Sequence, residues 1–486
     1  MNSSDTLAHN VTRSRVSQPS LLVGLTAVSI GLISGYDVSS VGGALLFMTD
    51  EFQLTAGHQE VVTTALAVGD MAGAIGAGAL ANAIGRRKSL MLVVATYAGF
   101  AVLGAVSGSF SVLVAARLLA GVSIGASYVV VPVFVAESTA AGVRGSLLVA
   151  YQAANVTGMV VGYLAAYLLA GAQSWRWTLG LAAVPAMLVW GLLRHVNDTP
   201  RWYMGKGRIA DARRALQQAE PYADVDAGLA RISQALGEEK TASGALAEMA
   251  RAPYLRATVF VITLGFLVQI TGINAIISYS PRLFEAMGMR GNFALLGLPA
   301  LVQIFALAAV FVSLVLVDRV GRRPLLLSGI GMMIAANLLL VGFFALGGGS
   351  SDALAVLGFF GVLLFTLGFN VGFGPLACVY AGESLPSRLR SIGSAAMHTA
   401  NLAANAIVVA VFLTLLTSVG GAVTFAIFGV LAQFSFIFVY RFAPETKGRQ
   451  LEDIRHFWIT GGESFAARCA VDPPPLNYGA ASSFST

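Results

Sequence analysis

The chain has 486 residues, of which 56% are apolar and only 11% are charged. A soluble protein of this size needs a polar coat with roughly a quarter of its residues charged, so this composition excludes an ordinary soluble protein. The net charge of +6 does not indicate a nucleic-acid partner, because most of the surface must face lipid. In lipid, only helices or closed barrels satisfy the backbone, and apolar runs of about 20 residues indicate helices.

Reactive and metal-binding residues are sparse. The two cysteines, Cys378 and Cys469, cannot form a disulfide framework or a zinc site, and the five histidines show no metal spacing. No nucleophile motif or phosphate-binding loop stands out. We therefore expect a protein that is not an enzyme and that has no cofactor and no metal.

The apolar runs divide the chain into five parts. A polar stretch at 1–19 precedes a run too long for a signal peptide, which predicts a tail followed by a retained first span. The remaining parts are a six-span bundle at 20–197, a charged helical linker at 198–256, a second bundle at 257–442 and a tail at 443–486. The predicted spans are 20–47, 58–82, 89–107, 112–136, 146–170, 177–195, 257–288, 293–317, 324–346, 353–381, 392–417 and 421–442.

Basic residues mark one side of the membrane. With twelve spans, nearly all of the 30 lysines and arginines, including Arg13 and Arg15, fall on the side of the N-terminus. Arg176, Arg282 and Arg290 fall on the other side. Positive residues stay in the cytoplasm, so both termini and the linker are predicted to be cytoplasmic.

The two halves repeat each other at the ends of corresponding spans. Arg86 and Arg87 follow Gly85 as Arg322 and Arg323 follow Gly321. A Glu–Arg pair with a spacing of seven, Glu137 with Arg144, recurs as Glu383 with Arg390. Asp198-Thr199-Pro200 corresponds in position to Glu445-Thr446-Lys447. Carriers built from two such repeats bind their substrate between the repeats, near the middle of the membrane.

Together these motifs resemble the sugar porter family of the major facilitator superfamily over nearly the whole chain. The matching stretches are Gly35-Tyr36-Asp37, Gly85-Arg86-Arg87, Pro132 through Glu137 to Gly145, Trp175-Arg176-Trp177, Thr199-Pro200-Arg201-Trp202, Gln269 through Asn274, Asp318 through Arg323, and Pro444 through Arg449. Any one of them is weak evidence, and their shared order is specific. The resemblance implies a twelve-helix fold in two bundles with a helical insert.

Asp37 lies inside the first span, where an ionised carboxylate is costly unless it is paired or wetted. The resemblance implies that Asp37 accepts the coupling proton, with Arg117 of the fourth span as its partner. The alternative is that Asp37 has only a structural role, as a helix-end or packing residue that faces a water-filled funnel. Asp70, in the second span, departs from the family, which has a small residue there, and both a structural acid and a second titrating group stay open.

Amide side chains suit a substrate rich in hydroxyl groups, because an amide both donates and accepts. Position matching with the family implies a substrate site that includes an outer gate tyrosine, and its members are Gln152, Asn155, Gln269, Asn274, Tyr279, Asn401 and Asn405. Each amide has the alternative role of joining helices within the membrane. The alternative role for Tyr279 is aromatic packing without a function in gating.

Several positions depart from hexose porters in ways that affect the substrate. Cys378 and Leu402 stand where aromatic side chains are common, and Ala306 replaces an asparagine. Aromatic faces stack on pyranose rings, so their loss weakens the case for glucose or xylose. A polyol, a cyclitol or a larger sugar is equally compatible.

Two features predict moving parts. We expect Arg86, Arg87, Glu137 and Arg144, and likewise Arg322, Arg323, Glu383 and Arg390, to form latches that close when the carrier faces outward. The alternative is that these basic residues only set the orientation of the helices in the membrane. Gly374-Pro375 interrupts the tenth span and predicts a hinge, with a static kink as the alternative.

These features predict a carrier that imports a sugar or polyol by proton symport in a bacterial inner membrane. Its expected partners are the substrate, protons and lipid, with no nucleic acid, and it is expected to function as a monomer. A passive uniporter and a non-transporting sugar sensor remain the alternatives. Uptake measured with and without a pH gradient distinguishes a proton symporter from a passive uniporter.

Overall fold

The computed structural model describes residues 18–170, 175–219, 224–241, 248–251, 254–348, 352–385, 387–447, 454 and 457–458. Within these ranges the side chains of 18, 19, 141, 142, 238–241, 352, 353, 387, 388, 390 and 391 are not described. The predicted tails at 1–19 and 443–486 therefore lie mostly outside the described residues.

The first bundle contains five long helices and one divided helix. They are α1 Gln18–Phe52, α2 Ala56–Ile84, α3 Arg86–Ala105, α4 Phe110–Ser138, α5 Ala141–Leu169, α6 Trp175–Gly180 and α7 Ala183–Leu193. The sixth predicted span is thus two helices rather than one. Pro185 lies in the first turn of α7, where its missing N–H costs nothing, so the second helix starts there.

Linker helices precede the second bundle. The linker contains α8 Pro200–Gly205, α9 Ile209–Ala219 and α10 Val225–Thr241. The second bundle contains α11 Leu255–Ile270, α12 Ile273–Ser278, α13 Ser280–Ala286, a π-helical turn Phe293–Gly297, α14 Leu298–Val320, α15 Arg322–Ala345, α16 Asp352–Gly368, a second π-helical turn Phe369–Phe373, α17 Gly374–Ser384, α18 Ser387–Ser418 and α19 Gly421–Phe442.

The prediction of twelve spans is confirmed. Within the described residues, twelve helical stretches are long and apolar enough to cross a membrane. Lipid leaves no water for the backbone, so each apolar run folds as a helix that bonds its own backbone groups. The fold is therefore all-α, in two six-span bundles joined by a helical linker.

Glycines allow the helices of the first bundle to pack closely. Helix α1 packs along α5, and α2 packs along α4. A Cβ added at Gly35 would lie 1.7 Å from Asn155 O, and one at Gly125 would lie 1.9 Å from Asp70 O. Small residues let backbones approach in this way, and close van der Waals packing then holds the helices together.

Two spans of the second bundle are broken at defined residues. Gly272 ends α11 with φ +100°, a left-handed conformation that glycine adopts without strain, and α12 starts immediately after it. In the tenth span a π-helical turn precedes Pro375, which has no N–H to offer the carbonyl of Val371. Ser313 Oγ of α14 donates to Val371 O at 2.8 Å and satisfies it.

The most extensive contacts between the bundles are those of α2 with α18 and of α5 with α14. We call the end of the bundles that carries Arg86, Arg322 and the linker helices the linker end, and the end that carries Glu60 and Arg282 the opposite end. A cleft of about 690 Å³ lies at the linker end, where Asn82, Arg86, Glu137, Arg144, Arg201 and Arg231 contribute to its lining.

Candidate functional site

An ion pair lies inside the first bundle and joins α1 to α4. Asp37 of α1 is 3% exposed and Arg117 of α4 is 4% exposed. Arg117 Nη1 is 2.9 Å from Asp37 Oδ1, and Nη2 is 3.0 Å from Oδ2. The guanidinium therefore contacts both carboxylate oxygens in a fork, which is the strongest geometry for such a pair.

Tyr97 of α3 completes this pair. Its hydroxyl donates to Asp37 Oδ1 at 2.9 Å, so that oxygen accepts from both Tyr97 and Arg117. A cavity of about 10 Å³ beside Asp37 and Arg117, lined also by Phe100 and Leu179, has room for one water molecule at most. This cavity is therefore too small for a sugar. Sequence reasoning missed Tyr97, because a tyrosine in an apolar run carries no polar pattern.

The predicted substrate amides lie on four helices, α5, α11, α12 and α18. Gln152 of α5 is exposed, and Asn155 one turn later is half-buried. Asn274 is half-buried in α12, just beyond the break at Gly272. Asn401 of α18 donates its Nδ2 to Gly265 O at 3.3 Å, so part of its hydrogen-bonding capacity joins two helices of the second bundle.

Two buried acceptors stand out among the amides. Gln269 Oε1 at the end of α11 and Asn405 Oδ1 on α18 have no hydrogen-bond partner among the residues that the structure describes. Buried polar atoms are nearly always hydrogen-bonded, so orphaned acceptors indicate a site for a donor from solvent or ligand. The hydroxyl groups of a polyol supply such donors.

Tyr279, the predicted outer gate residue, is fully buried in this structure. Its hydroxyl donates to Val409 O at 3.0 Å, and its ring stacks on Phe412 with centroids 5.7 Å apart. Tyr279 therefore packs against α18 rather than lining open space with the amides.

At the linker end of the first bundle, one arginine forms the ion pair expected of the latch. Arg86 Nε is 3.0 Å from Glu137 Oε2, and Thr199 Oγ1 donates to the same carboxylate at 2.7 Å. Arg87 instead donates to the carbonyls of Leu193 and Arg194, at 2.8 and 2.9 Å. Arg144 donates to Thr139 O at 3.4 Å.

Asp198 holds the turn between α2 and α3. Its Oδ1 accepts from the backbone N–H of Arg86 at 2.9 Å, and a Cβ at Gly85 would lie 2.0 Å from Oδ2. Burial raises the pKa of Asp198 above its ordinary value, and the N–H donors oppose that effect. Only glycine at 85 allows the carboxylate to approach so closely.

The second bundle repeats this arrangement. Glu445 accepts from the backbone N–H groups of Arg322 and Arg323, each at 3.1 Å. Arg322 is 3.3 Å from Asp318 and 3.8 Å from Glu383, and Arg323 donates to Tyr440 O at 2.6 Å. The side chain of Arg390, the remaining predicted latch residue, lies outside the described residues.

Hydrogen bonds that the sequence did not predict join the two bundles at the opposite end. Thr414 of α18 donates its N–H and its Oγ1 to the Glu60 carboxylate of α2, at 2.7 and 2.6 Å. Arg282 of α13 donates to Gln59 Oε1 at 3.1 Å and to Leu45 O at 3.2 Å. We call these contacts the seal.

The two bundles, the buried pair and the facing amides place the protein in the class of major facilitator membrane carriers. Comparison with known proteins then identifies its family. The family described as "Sugar (and other) transporter" matches residues 23–458. The chain therefore belongs to the sugar porter family of the major facilitator superfamily, which confirms the resemblance drawn from its motifs.

Curated relatives match the chain over most of its length. The galactose-proton symporter of Escherichia coli strain K12 is 31% identical over 436 residues, which are 90% of this chain and 93% of that protein. The arabinose-proton symporter of the same strain is 30% identical, covering 91% and 94%. The glucose transporter of Staphylococcus epidermidis is 29% identical, covering 88% and 94%.

Solved structures share the fold. A proton:xylose symporter bound to 6-bromo-6-deoxy-D-glucose superposes with a TM-score of 0.75 at 24% identity, covering 90% of this chain and 99% of that one. An inward-open xylose transporter from Escherichia coli gives a TM-score of 0.76 at 21% identity, covering 90% and 100%. These proteins and the curated relatives are transporters, so the chain is a carrier and not an enzyme.

Proposed function

We propose that the protein imports a sugar or polyol by proton symport, with Asp37 as the proton site and Arg117 as its counter-charge. The observation that carries this proposal is the buried fork between the two side chains, 2.9 and 3.0 Å long. Symporters for galactose and arabinose among the relatives support it.

The physical mechanism is a competition for the Asp37 carboxylate. Burial in an apolar interior favours the protonated form, and a neighbouring guanidinium favours the ionised form. When Arg117 holds both oxygens, the proton is released. When the helices move and the fork opens, Asp37 takes up a proton from the side that is then open.

The substrate binds between the bundles in this proposal. Gln152, Gln269, Asn274 and Asn405 would supply the polar contacts, and the orphaned acceptors Gln269 Oε1 and Asn405 Oδ1 support the assignment. Asn155, Asn401 and Tyr279 would complete the site once the bundles move. The substrate would enter from the opposite end and leave at the linker end.

The linker end faces the cytoplasm in this proposal, because basic residues concentrate there. The Arg86–Glu137 and Arg322–Glu383 contacts each lie within one bundle and are formed here while the opposite end is sealed. Closure of the linker end in the outward-facing state would therefore need these residues, with Arg87, Arg144, Arg323 and Arg390, to meet across the bundles. The Gly374-Pro375 break, with Ser313 holding Val371 O, would serve as the hinge. The protein would act as a monomer in a bacterial plasma membrane.

The test is uptake of labelled sugars and polyols into liposomes that contain the purified protein, with and without a pH gradient. Asp37→Asn should abolish accumulation and leave substrate exchange intact, because the amide preserves shape but carries no proton. Asp50→Asn, an exposed acid at the end of α1, is the matched control. Unchanged accumulation in Asp37→Asn would remove the proton assignment.

The substrate arm uses Gln269→Ala. Loss of one hydrogen bond of about 1 kcal/mol should raise the KM roughly fivefold. Gln433→Ala, an exposed amide on α19, is the control and should leave the KM unchanged. Equal KM values in all three proteins would place the substrate elsewhere. Equal uptake with and without the gradient in the wild type would indicate a passive uniporter.

A further inference from the structure

Asp70 is a second buried carboxyl in the first bundle. It lies in the middle of α2 and is 5% exposed. Its Oδ1 has no hydrogen-bond partner within the described part of the chain. The close contact of α2 with α4 fixes its backbone, since a Cβ at Gly125 would lie 1.9 Å from Asp70 O.

The surroundings of Asp70 connect it to the ion pair. The α4 backbone one turn after Arg117 contacts Asp70, because a Cβ added at Gly121 would lie 3.0 Å from Asp70 N, and the charges of Asp37 and Arg117 act on the Asp70 carboxyl. Tyr128 of α4 and Tyr151 of α5 also interact electrostatically with Asp70. Tyr151 Oη, like Asp70 Oδ1, has no hydrogen-bond partner among the described residues.

Other titratable groups lie on the helices that pack against α2. Helix α3 contributes Tyr97, which donates to Asp37. Helix α18 of the second bundle carries His398 as the titratable group among its described side chains. Among the described residues, Arg117 is the cation whose charge acts on Asp70.

The charges of this cluster do not balance without a proton. If Asp37 and Asp70 were both ionised, Arg117 would compensate only one of them. The cluster would then carry a net charge of −1 in an apolar interior, which is costly. One proton makes the cluster neutral. A metal ion is a poor substitute, because no group of three potential ligands exists among the described residues and the cavity beside the pair is about 10 Å³.

The position of the proton follows from the hydrogen bonds. Both oxygens of Asp37 accept from Arg117, and Oδ1 also accepts from Tyr97. These donors stabilise the ionised form of Asp37. Asp70 has a free oxygen and no donor on it, so the proton belongs to Asp70 in this conformation.

We propose that Asp70 is a second proton-binding carboxyl that shares one proton with Asp37 during the transport cycle. The proton leaves the Asp70 carboxyl and binds the Asp37 carboxylate when Arg117 releases Asp37, and Asp70 then becomes the carboxylate that balances Arg117. The cluster carries no net charge in either arrangement, and the transported proton enters and leaves it through Asp37 from the side that is then open. This inference rests on the proposed role of Asp37 and extends it.

The test reads protonation directly and needs no substrate. Infrared difference spectroscopy of the purified protein follows the carbonyl stretch of buried protonated carboxyls as the pH changes. The wild type should show this band at neutral pH. In Asp70→Asn the remaining Asp37–Arg117 pair is already neutral, so the band should appear only at a pH lower by at least about 1 unit, a tenfold loss of proton affinity.

The Asp37→Asn variant distinguishes a proton that Asp70 shares with Asp37 from one that stays on Asp70 alone. If the proton is shared, this variant should also lose the neutral-pH band, because Arg117 then balances Asp70 alone. Asp50→Asn should keep the wild-type band. If Asp70→Asn fails to fold, Asp70→Ser, which is smaller and also neutral, takes its place in the same titration.

The outcomes are distinct. A band that is unchanged in Asp70→Asn would show that Asp70 is ionised and would overturn the proposal. A band lost in Asp70→Asn and kept in Asp37→Asn would make Asp70 a structural acid and would overturn the sharing. The infrared experiment measures no transport. It would therefore still test the protonation of Asp70 if the liposome experiments disproved proton symport.

Discussion

Asp37 and Arg117 show how a charged pair persists in an apolar interior. Each charge is more than nine-tenths buried, and each would be costly alone. The fork cancels the charges, and Tyr97 satisfies a further lone pair. The pair is therefore stable as a unit and sensitive to the loss of either partner.

A pair of this kind predicts non-additive effects on stability. Arg117→Gln should lower the free energy of unfolding by about 3–5 kcal/mol, because it leaves a buried carboxylate without a counter-charge. The double variant Asp37→Asn with Arg117→Gln should be more stable than Arg117→Gln alone. Denaturation in detergent, followed by the loss of helix signal, measures both values.

Arg176→Gln is the matched control at the residue scale. Its partner is Glu51, and the two side chains are 38% and 42% exposed, so its loss should cost no more than about 1 kcal/mol. Strictly additive losses from Asp37→Asn and Arg117→Gln would contradict the view that the two charges act as one unit.

Helices α2 and α18 carry the largest part of the seal at the opposite end. Glu60 is 6% exposed and accepts two hydrogen bonds from a single residue, Thr414. Arg282 adds bonds from α13 to Gln59 and to the backbone of α1. This end is closed because a carboxylate of one bundle bonds donors of the other, and motion of α18 away from α2 would break both bonds together.

Glu60→Gln should loosen the seal. A glutamine offers one acceptor oxygen and turns an NH₂ group toward one of the two Thr414 donors, so the closed state loses stability. Spin labels at Gln53→Cys and Val419→Cys, in a background with both native cysteines replaced by serine, would report the distance between the bundles. We expect the longer-distance population to grow severalfold in Glu60→Gln.

Glu51→Gln breaks an ion pair at the same end but within one bundle, and it should leave that distance distribution unchanged. Equal distributions for Glu60→Gln and the parent protein would mean that the seal depends on apolar packing rather than on Glu60.

The whole molecule combines one closed end, the proposed substrate site between two bundles and a buried charged cluster in the first of them. A carrier that moves one proton with a neutral substrate moves one net charge per cycle. Each charge that moves down 100 mV gains about 2.3 kcal/mol, enough for roughly fifty-fold accumulation. In the proposed mechanism the proton site lies inside the first bundle and the substrate site lies between the two bundles.

Accumulation should therefore respond to voltage as well as to pH. In liposomes with equal pH on both sides, an inside-negative potassium diffusion potential set by valinomycin should drive accumulation of the transported sugar or polyol. The same liposomes without valinomycin are the control. Accumulation driven by a pH gradient but indifferent to voltage would point to an electroneutral cycle.

The spans and the latch motifs are determined by the sequence alone. Twelve apolar runs become twelve helices because lipid offers no other partner to the backbone. The repeated motifs lie at the ends of corresponding helices, so the pairing of Arg86 with Glu137 follows from their positions. The breaks at Pro185 and Gly272 were missed because each lies inside a run that reads as continuous.

Only the tertiary structure decides which side chains from distant helices meet. Tyr97 beside Asp37, Asp70 near Arg117, and Glu60 against Thr414 depend on how each helix is rotated about its axis and how closely it approaches its neighbours. An apolar helix in lipid has little amphipathic pattern to define that rotation. Glycine contacts and a few buried hydrogen bonds set it instead, and these form only when the helices pack together.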